Sequence, residues 1–416
     1  MLRKLEISWS VIFIWASLAT IGLIAIYSAT QGPVAEFLPS YIQQNFWRQT
    51  IWISLSLILL IAVQFTSPRT FQGAAYPFYI LCIILMILTL FFGVEVSGSK
   101  SWLRIGSFNM QVGELMKLAT ILAVANYLSN QRDLSTENIK TALTTLGFFM
   151  LPVILLILQN ETGTAIIFLG LLPVILFLSG LSYGISLLMI SPAIVAYFTV
   201  IDWYLGIIAA VIVTIVIFFL QKRTWLSFTS LILGALVVIG TEVALNEILQ
   251  PHQRSRVEAF VNPSVDPQGA GWNVIQATTA IGSGGLYGKG FMEGTQTQLR
   301  FLPEQWTDFI FCVISEEFGF VGSSTVLILF LLLILKLLQM AITHKHPFAQ
   351  LLLASIAFTY FLHLIINIGS TTSLIPVIGL PLPFVSYGGS AFLTNTLMLA
   401  ICINMDFYKR SFSIYR

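Results

Sequence analysis

About twelve times along this 416-residue chain the sequence stays apolar for long enough to cross a bilayer, and that repetition limits the possible folds most. Roughly 20 mostly apolar residues span the hydrocarbon core as a helix, and a chain at that depth must satisfy its own backbone hydrogen bonds. The stretches lie near 9–29, 47–65, 74–94, 111–129, 141–159, 162–180, 183–201, 204–221, 224–249, 308–340, 348–369 and 385–406. Composition agrees, with 57% hydrophobic and only 9% charged residues, where soluble domains carry about 25% charged. The chain reads as an all-α polytopic integral membrane protein, a single domain over 1–416 with about 12 transmembrane helices. The apolar run behind Arg3 and Lys4 is of spanning length and has no small-residue cleavage motif, so it is expected to stay as a helix.

Basic residues in short loops set the orientation. With a cytoplasmic N-terminus, Arg3, Lys4, Arg69, Arg132, Lys140, Lys222, Arg223, Lys336, Lys345, Lys409, Arg410 and Arg416 fall inside. Arg48, Lys100, Arg104, Lys117, Arg254, Arg256, Lys289 and Arg300 then fall outside or within helices near the outer face. Both termini are thus expected in the cytoplasm, and the long connection 250–307 outside. The cations are dispersed and the net charge is +2, which gives no footprint for nucleic acid. Cys82, Cys312 and Cys402 sit in apolar stretches without paired spacing and read as core residues.

Charged groups beside membrane spans are costly and mark candidate sites. Gln111, Glu114 and Lys117 stand three apart, a spacing that places them on one helical face with Glu114 able to pair with Lys117. Glu161 in QNETGTA and Arg48 at the head of the second span belong to the same outer side. The long loop is denser, with Arg254, Arg256 and Asp266, and it leads into an acidic series, Glu304, Asp308, Glu316 and Glu317. Glu304 and Asp308 are expected to share a face. Its interleaved aromatics and prolines point to an ordered loop. The last outer loop, IPVIGLPLPFVSYGGS, has three prolines in uncharged apolar sequence, as a broken or re-entrant segment has. A transporter lining a path and an enzyme working on a lipid-linked substrate both fit. The absence of a comparable cluster on the inner side favours the enzyme.

The stretch Ala280 to Gln296, AIGSGGLYGKGFMEGTQ, poses a separate question. It is no Walker A loop, because Ser283 stands where the first glycine belongs and Gly290 where Ser or Thr follows the lysine. Its glycines serve either close packing of an irregular segment or an anion-holding nest completed by Lys289.

Three blocks carry a family resemblance: RSRVEAFVNPSVDPQGAGWNVIQATTAIGSGGLYGKG, GTQTQLRFLPEQWTDFIFCVISEEFGFVG and NIGSTTSLIPVIGLPLPFVSYGGS. They resemble the signature blocks of the SEDS family of bacterial cell-wall polymerases, and are closer to its RodA-type elongation branch than to its FtsW-type division branch. The resemblance runs from the first span to the last. It implies a peptidoglycan glycosyltransferase that polymerises lipid II on the outer leaflet during elongation and shape maintenance. Implied partners are a class B penicillin-binding protein and membrane proteins of the elongation complex. Asp266 matches the family's essential aspartate, and Gln111, Glu114 and Lys117 match its QPSExxK.

Several positions depart from that pattern. QPSE is QVGE here, QPDLGT is QNETGT with Glu161 in place of aspartate, and Ser101 precedes Trp102 where an arginine is usual. The family has ten spans; three apolar stretches between Leu181 and His252 stand where one is expected, which implies an inserted pair around 202–223. On this reading Asp266 is the base for the attacking sugar hydroxyl, against the plain alternative of an Asp-Pro turn. Arg254, Arg256, Lys117 and Lys289 are candidates to hold the pyrophosphate, with Gln111, Glu114, Glu161 and Arg48 completing the substrate site. A divalent cation such as Mg or Mn could assist the leaving group, but no His/Asp/Glu cluster has ligand spacing and no metal ligand is named. A lipid II flippase, a division-type (FtsW-like) polymerase and a noncatalytic scaffold are the competing functions.

Overall fold

The computed structural model describes residues 8–32, 38–96, 98–106, 108–131, 139–249, 251–265 and 269–414. Asp266 therefore lies outside the described residues. The helices are α1 (Trp9–Gln31), α2 (Ser40–Gln43), α3 (Asn45–Gln64), α4 (Pro68–Phe92), α5 (Val112–Ser129), α6 (Ile139–Leu158), α7 (Thr162–Leu178), α8 (Tyr183–Ile201), α9 (Trp203–Gln221) and α10 (Thr224–Val243). They continue with α11 (Pro251–Val261), α12 (Ala270–Ser283), α13 (Thr295–Gln298), α14 (Ile310–Thr343), α15 (Pro347–Thr371), α16 (Gly389–Phe407) and α17 (Lys409–Ile414). Each of the twelve expected spans coincides with one long helix.

Ten helices among the described residues are long and apolar enough to cross a membrane, which makes this a multi-pass membrane protein. The other two expected spans, α5 and α7, fall outside that set for different reasons. Helix α7 is apolar but only 17 residues long. Helix α5 has 18 residues but carries Glu114, Lys117 and Asn126, which make it less apolar; 15 of its residues are buried, Glu114 and Lys117 included, so this helix meets protein rather than lipid. It packs on α4, α6, α15 and α16 at the centre of the bundle. Lipid tails are as apolar as leucine, so this packing rests on close van der Waals fit and buried hydrogen bonds. Trp15 Nε1 on α1 donates to Thr396 Oγ1 on α16 (3.1 Å), and Asn404 Nδ2 on α16 donates to Val63 O on α3 (2.9 Å). Ser8 Oγ donates to Asp406 Oδ2 (2.6 Å), which puts both ends of the described chain at the same end of the bundle.

Among the described residues, the strands and most of the irregular backbone gather at the opposite end. A small antiparallel sheet, β1 (Val94–Val96), β2 (Ser99–Ile105) and β3 (Phe108–Gln111), joins α4 to α5. Gln111 is thus the last residue of β3 and the N-cap of α5, not part of a helical face; only Glu114 and Lys117 keep the three-residue spacing. The described part of 250–307 folds into α11, α12 and α13. Helices α8, α9 and α10 form a side bundle of their own, with Val195, Ala210 and Val238 at its centre. Tyr197 on α8 ties it to the main bundle by donating to Leu374 O (3.0 Å).

The segment Thr372–Gly388 dips into the bundle without regular structure, its Leu382, Phe384 and Val385 buried. Buried irregular backbone requires substitute partners. Asn367 Nδ2 donates to Leu380 O (2.8 Å), Ser386 Oγ to Thr307 O (2.6 Å), and Tyr387 N to Trp306 O (2.9 Å).

Candidate active site

Where the sheet, α11 and the 372–388 segment meet, a cavity of about 320 Å³ opens. Helices α5, α7 and α16 all begin at its wall, through Gln111 and Glu114, Thr162 to Thr164, and Ser390 and Ala391. Their positive dipole ends therefore converge on it and favour negative charge there. Carboxylates line it: Glu114, Glu161, Glu304 and Asp308. Arg256 from α11 lines it too, with Trp102 as an aromatic wall and Ser99, Asn160, Thr307, Tyr387 and Ser390 as hydroxyl and amide groups.

Glu161 is held on every side. One carboxylate oxygen accepts from Ser99 Oγ (2.7 Å) and Ser101 Oγ (2.8 Å), the other from Gln111 Nε2 (2.9 Å) and Thr164 Oγ1 (3.2 Å). It fastens the sheet to the head of α7. The serine at 101, where arginine is usual in the pattern above, is what gives this longer acid one of its donors.

Glu114 and Lys117 form a buried ion pair at 2.9 Å, with side chains 1% and 2% exposed. Glu114 Oε1 takes Lys117; Oε2 has no protein partner. Lys117 reaches on to His363 of α15, Nζ to Nε2 at 2.7 Å. His363 was not among the residues expected from the sequence, although a histidine inside a span, four residues before Asn367 on the same helical face, is a signal of the kind that flagged Glu114.

Asp308 is half-buried just ahead of α14. Loss of water pushes its pKa up to about 7, with Glu304 and Glu161 raising it further and Arg256 opposing. Glu304 and Asp308 share the cavity wall but no helical turn, because α14 begins only at Ile310 and Glu304 has φ +48°. Burial also raises the Tyr387 phenol, against a hydrogen bond from Arg48, which places Arg48 beside the cavity.

Two expected site residues stand elsewhere. Arg254 pairs with Glu258 on the exposed face of α11 at 2.7 Å. Lys289 is bound to Glu316, Nζ to Oε1 at 2.7 Å, and to Thr295 Oγ1 at 2.6 Å. Glu316 is fully buried and also accepts from Gln296 N (2.9 Å), Thr297 N (2.9 Å) and Thr297 Oγ1 (2.8 Å). The glycine-rich stretch has a structural task here. Helix α14 is broken at Gly319 (φ +65°). Lys289 N and Gly290 N donate to Glu316 O (2.9 Å) and Glu317 O (3.1 Å), while Phe320 N and Val321 N donate to Gly285 O (2.9 Å) and Leu286 O (3.1 Å). The loop replaces the hydrogen bonds that the break removes. Gly288, at φ +82°, has no room for a side chain, because a Cβ there would run into the Glu317 carbonyl.

Among the described residues no three His, Cys, Asp or Glu side chains stand close enough to hold a metal ion, and no metal ligands are assigned.

The cell cycle protein family model FTSW_RODA_SPOVE matches this chain over residues 8–206 and 187–411. Peptidoglycan glycosyltransferase MrdB of Escherichia coli (strain K12) is 32% identical over 361 residues, covering 87% of this chain and 85% of that protein. Peptidoglycan glycosyltransferase RodA of Treponema pallidum (strain Nichols) is 30% identical, covering 94% and 95%. A chain solved in a peptidoglycan synthase complex that coordinates polymerization and crosslinking has a TM-score of 0.71 at 27% identity, covering 98% of this chain and 99% of its own. The rod shape determining protein RodA of Thermus thermophilus shares the fold at a TM-score of 0.64 and 24% identity, with the same coverage. With matches spanning nearly the whole chain and a bundle superposable on those of its relatives, the protein belongs to the FtsW/RodA/SpoVE family.

Proposed function

We propose that this protein is a peptidoglycan glycosyltransferase that polymerises lipid II into glycan strands on the outer face of the cytoplasmic membrane, in the service of elongation and cell shape. The observation that carries this reading is the cavity: three helix N-termini, four carboxylates, Arg256 and an aromatic wall gathered at one end of a membrane bundle, in a family whose members MrdB and RodA are named peptidoglycan glycosyltransferases. The distribution of Lys and Arg in the short loops supports an outward-facing cavity and cytoplasmic termini.

In the reaction, an acceptor sugar hydroxyl attacks the anomeric carbon of the donor from the face opposite the pyrophosphate. The new glycosidic bond forms, the bond to undecaprenyl pyrophosphate breaks, and the configuration inverts. Asp266 takes the hydroxyl proton as general base. Arg256, with Arg48 beside Tyr387, answers the charge that develops on the pyrophosphate, together with the converging helix dipoles. Glu114, with one free oxygen, orients a sugar hydroxyl. Lys117 acts through Glu114 rather than on the substrate, and Glu161 through the sheet it fastens. Lys289 and Arg254 are not needed at the chemistry. A class B penicillin-binding protein, supplying the transpeptidase, is the partner; the structural likeness to a synthase-complex chain supports this.

The test is the purified protein in liposomes with lipid II, with and without that partner, scored for glycan strands on a gel and, in parallel, for lipid II translocation. Strands are the expected result. Translocation without strands, with the partner present, would replace the polymerase with a flippase.

A further inference from the structure

We propose that His363 is a positioning residue for the transfer reaction, holding the Lys117 ammonium so that Glu114 presents its free oxygen to the substrate. The inference rests on the glycosyltransferase reading above.

Its basis is a line of three buried side chains that ends at the cavity wall. Lys117 is 2.9 Å from Glu114 Oε1 and 2.7 Å from His363 Nε2, and all three residues are buried. An ammonium has three donors and no lone pair, so every partner it takes must be an acceptor. Paired to a carboxylate, Lys117 is the charged form, and His363 Nε2 must then carry no proton. The other ring nitrogen agrees with this tautomer: Nδ1 is 3.2 Å from Pro381 O, a pure acceptor, so the proton sits on Nδ1. The order of donation is fixed from end to end. His363 Nδ1–H donates to the Pro381 carbonyl, Lys117 donates to His363 Nε2, and Lys117 donates to Glu114 Oε1.

The consequence falls on Glu114. Its Oε2 is buried without a protein partner, while the residue lines the cavity. A carboxylate with one oxygen held and one free has a defined direction only if the group holding it is itself held. Lys117 has a flexible four-carbon stem, and Glu114 alone would leave it free to rotate about one contact. His363 supplies the second contact. Because Pro381 lies in the same 372–388 segment as Tyr387, the line also ties the carboxylate to the loop that closes the other wall of the cavity.

Initial rates of lipid II polymerisation test this in reconstituted parent, His363→Leu, His363→Gln, Lys117→Met and the Lys117→Met/His363→Leu double variant, with thermal melting of each as a folding control. Glutamine keeps an acceptor near the Nε2 position; leucine keeps only bulk. Loss of a group that orients a metal ligand typically costs about 10- to 100-fold, and on the low end of that scale His363→Leu is expected to lower kcat by about tenfold. KM for lipid II should move by less than about threefold, because His363 touches no substrate. His363→Gln should recover most of the lost kcat, and the double variant should be no slower than Lys117→Met alone. A parental rate in His363→Leu would overturn the proposal. So would equal impairment by glutamine and leucine, or additive losses in the double variant. A parent that makes no strands at all would instead overturn the functional reading, and the inference with it.

Discussion

Replacing Lys289 by methionine separates the two readings of the glycine-rich stretch by the kind of damage it does. The lysine is 25% exposed, whereas its partner Glu316 is fully buried. Removing the lysine strands a carboxylate inside the protein, a change that typically costs 3–5 kcal/mol. Glu316 keeps its backbone donors at Gln296 and Thr297 and the Thr297 hydroxyl, so the cost should lie near the low end, about 3 kcal/mol. Its location follows from the hydrogen bonds: residues 285–297 loosen from α14 on both sides of Gly319. The assay is thermal melting of the purified protein in detergent, with limited proteolysis of the 284–298 segment. Lys289→Met should melt several degrees lower and be cut faster, while Lys289→Met/Glu316→Gln should recover part of the loss because the stranded charge is gone. Parental melting together with a raised KM for lipid II would rule out the packing role and restore Lys289 to the phosphate.

Two more perturbations follow from the cavity. Asp308 has a folded pKa of about 7 against an ordinary value of 3.8. The folded protein therefore binds its proton more tightly than the unfolded chain, and this stabilising contribution, full below about pH 4, is lost as pH rises through 7. Melting of Asp308→Asn should accordingly depend less on pH between 4 and 8 than that of the parent, gaining on it toward pH 8; parallel curves would contradict the assignment. Glu161→Ala releases Ser99, Ser101, Gln111 and Thr164 together and should cost about 2–3 kcal/mol, with faster hydrogen exchange in 99–111; unchanged exchange there would show that the acid does not fasten the sheet.

The spans were legible in the sequence because each is written over some twenty residues, so the pattern tolerates local exceptions. The acid–lysine pair on α5 was legible for the opposite reason: two opposite charges three apart inside an apolar run are costly unless they meet. What escaped was set by long-range contact. Nothing local says that the strands between Val94 and Gln111 pair as a sheet, since they are short and the acid that bonds to β2 and β3, Glu161, lies fifty residues beyond Gln111. Nothing near Lys289 says that Glu316 holds it. The glycines left packing and anion binding both open, and only the break at Gly319, opposite the loop, shows which hydrogen bonds they serve. His363 is readable in the sequence as an ionisable residue inside a span, but its partner Lys117 is set only by the packing of α15 on α5. The resemblance places Asp266 at the centre of the chemistry, whereas an Asp-Pro pair by itself reads as a turn.

Whether Asp266 is the base is decided by the initial rate of lipid II polymerisation by the purified parent and by Asp266→Ala, each reconstituted with its class B penicillin-binding protein and checked for parental melting. Strands from the parent and essentially none from the variant are expected. Strands from both at similar rates would leave Asp266 as a turn residue and the base to be sought elsewhere.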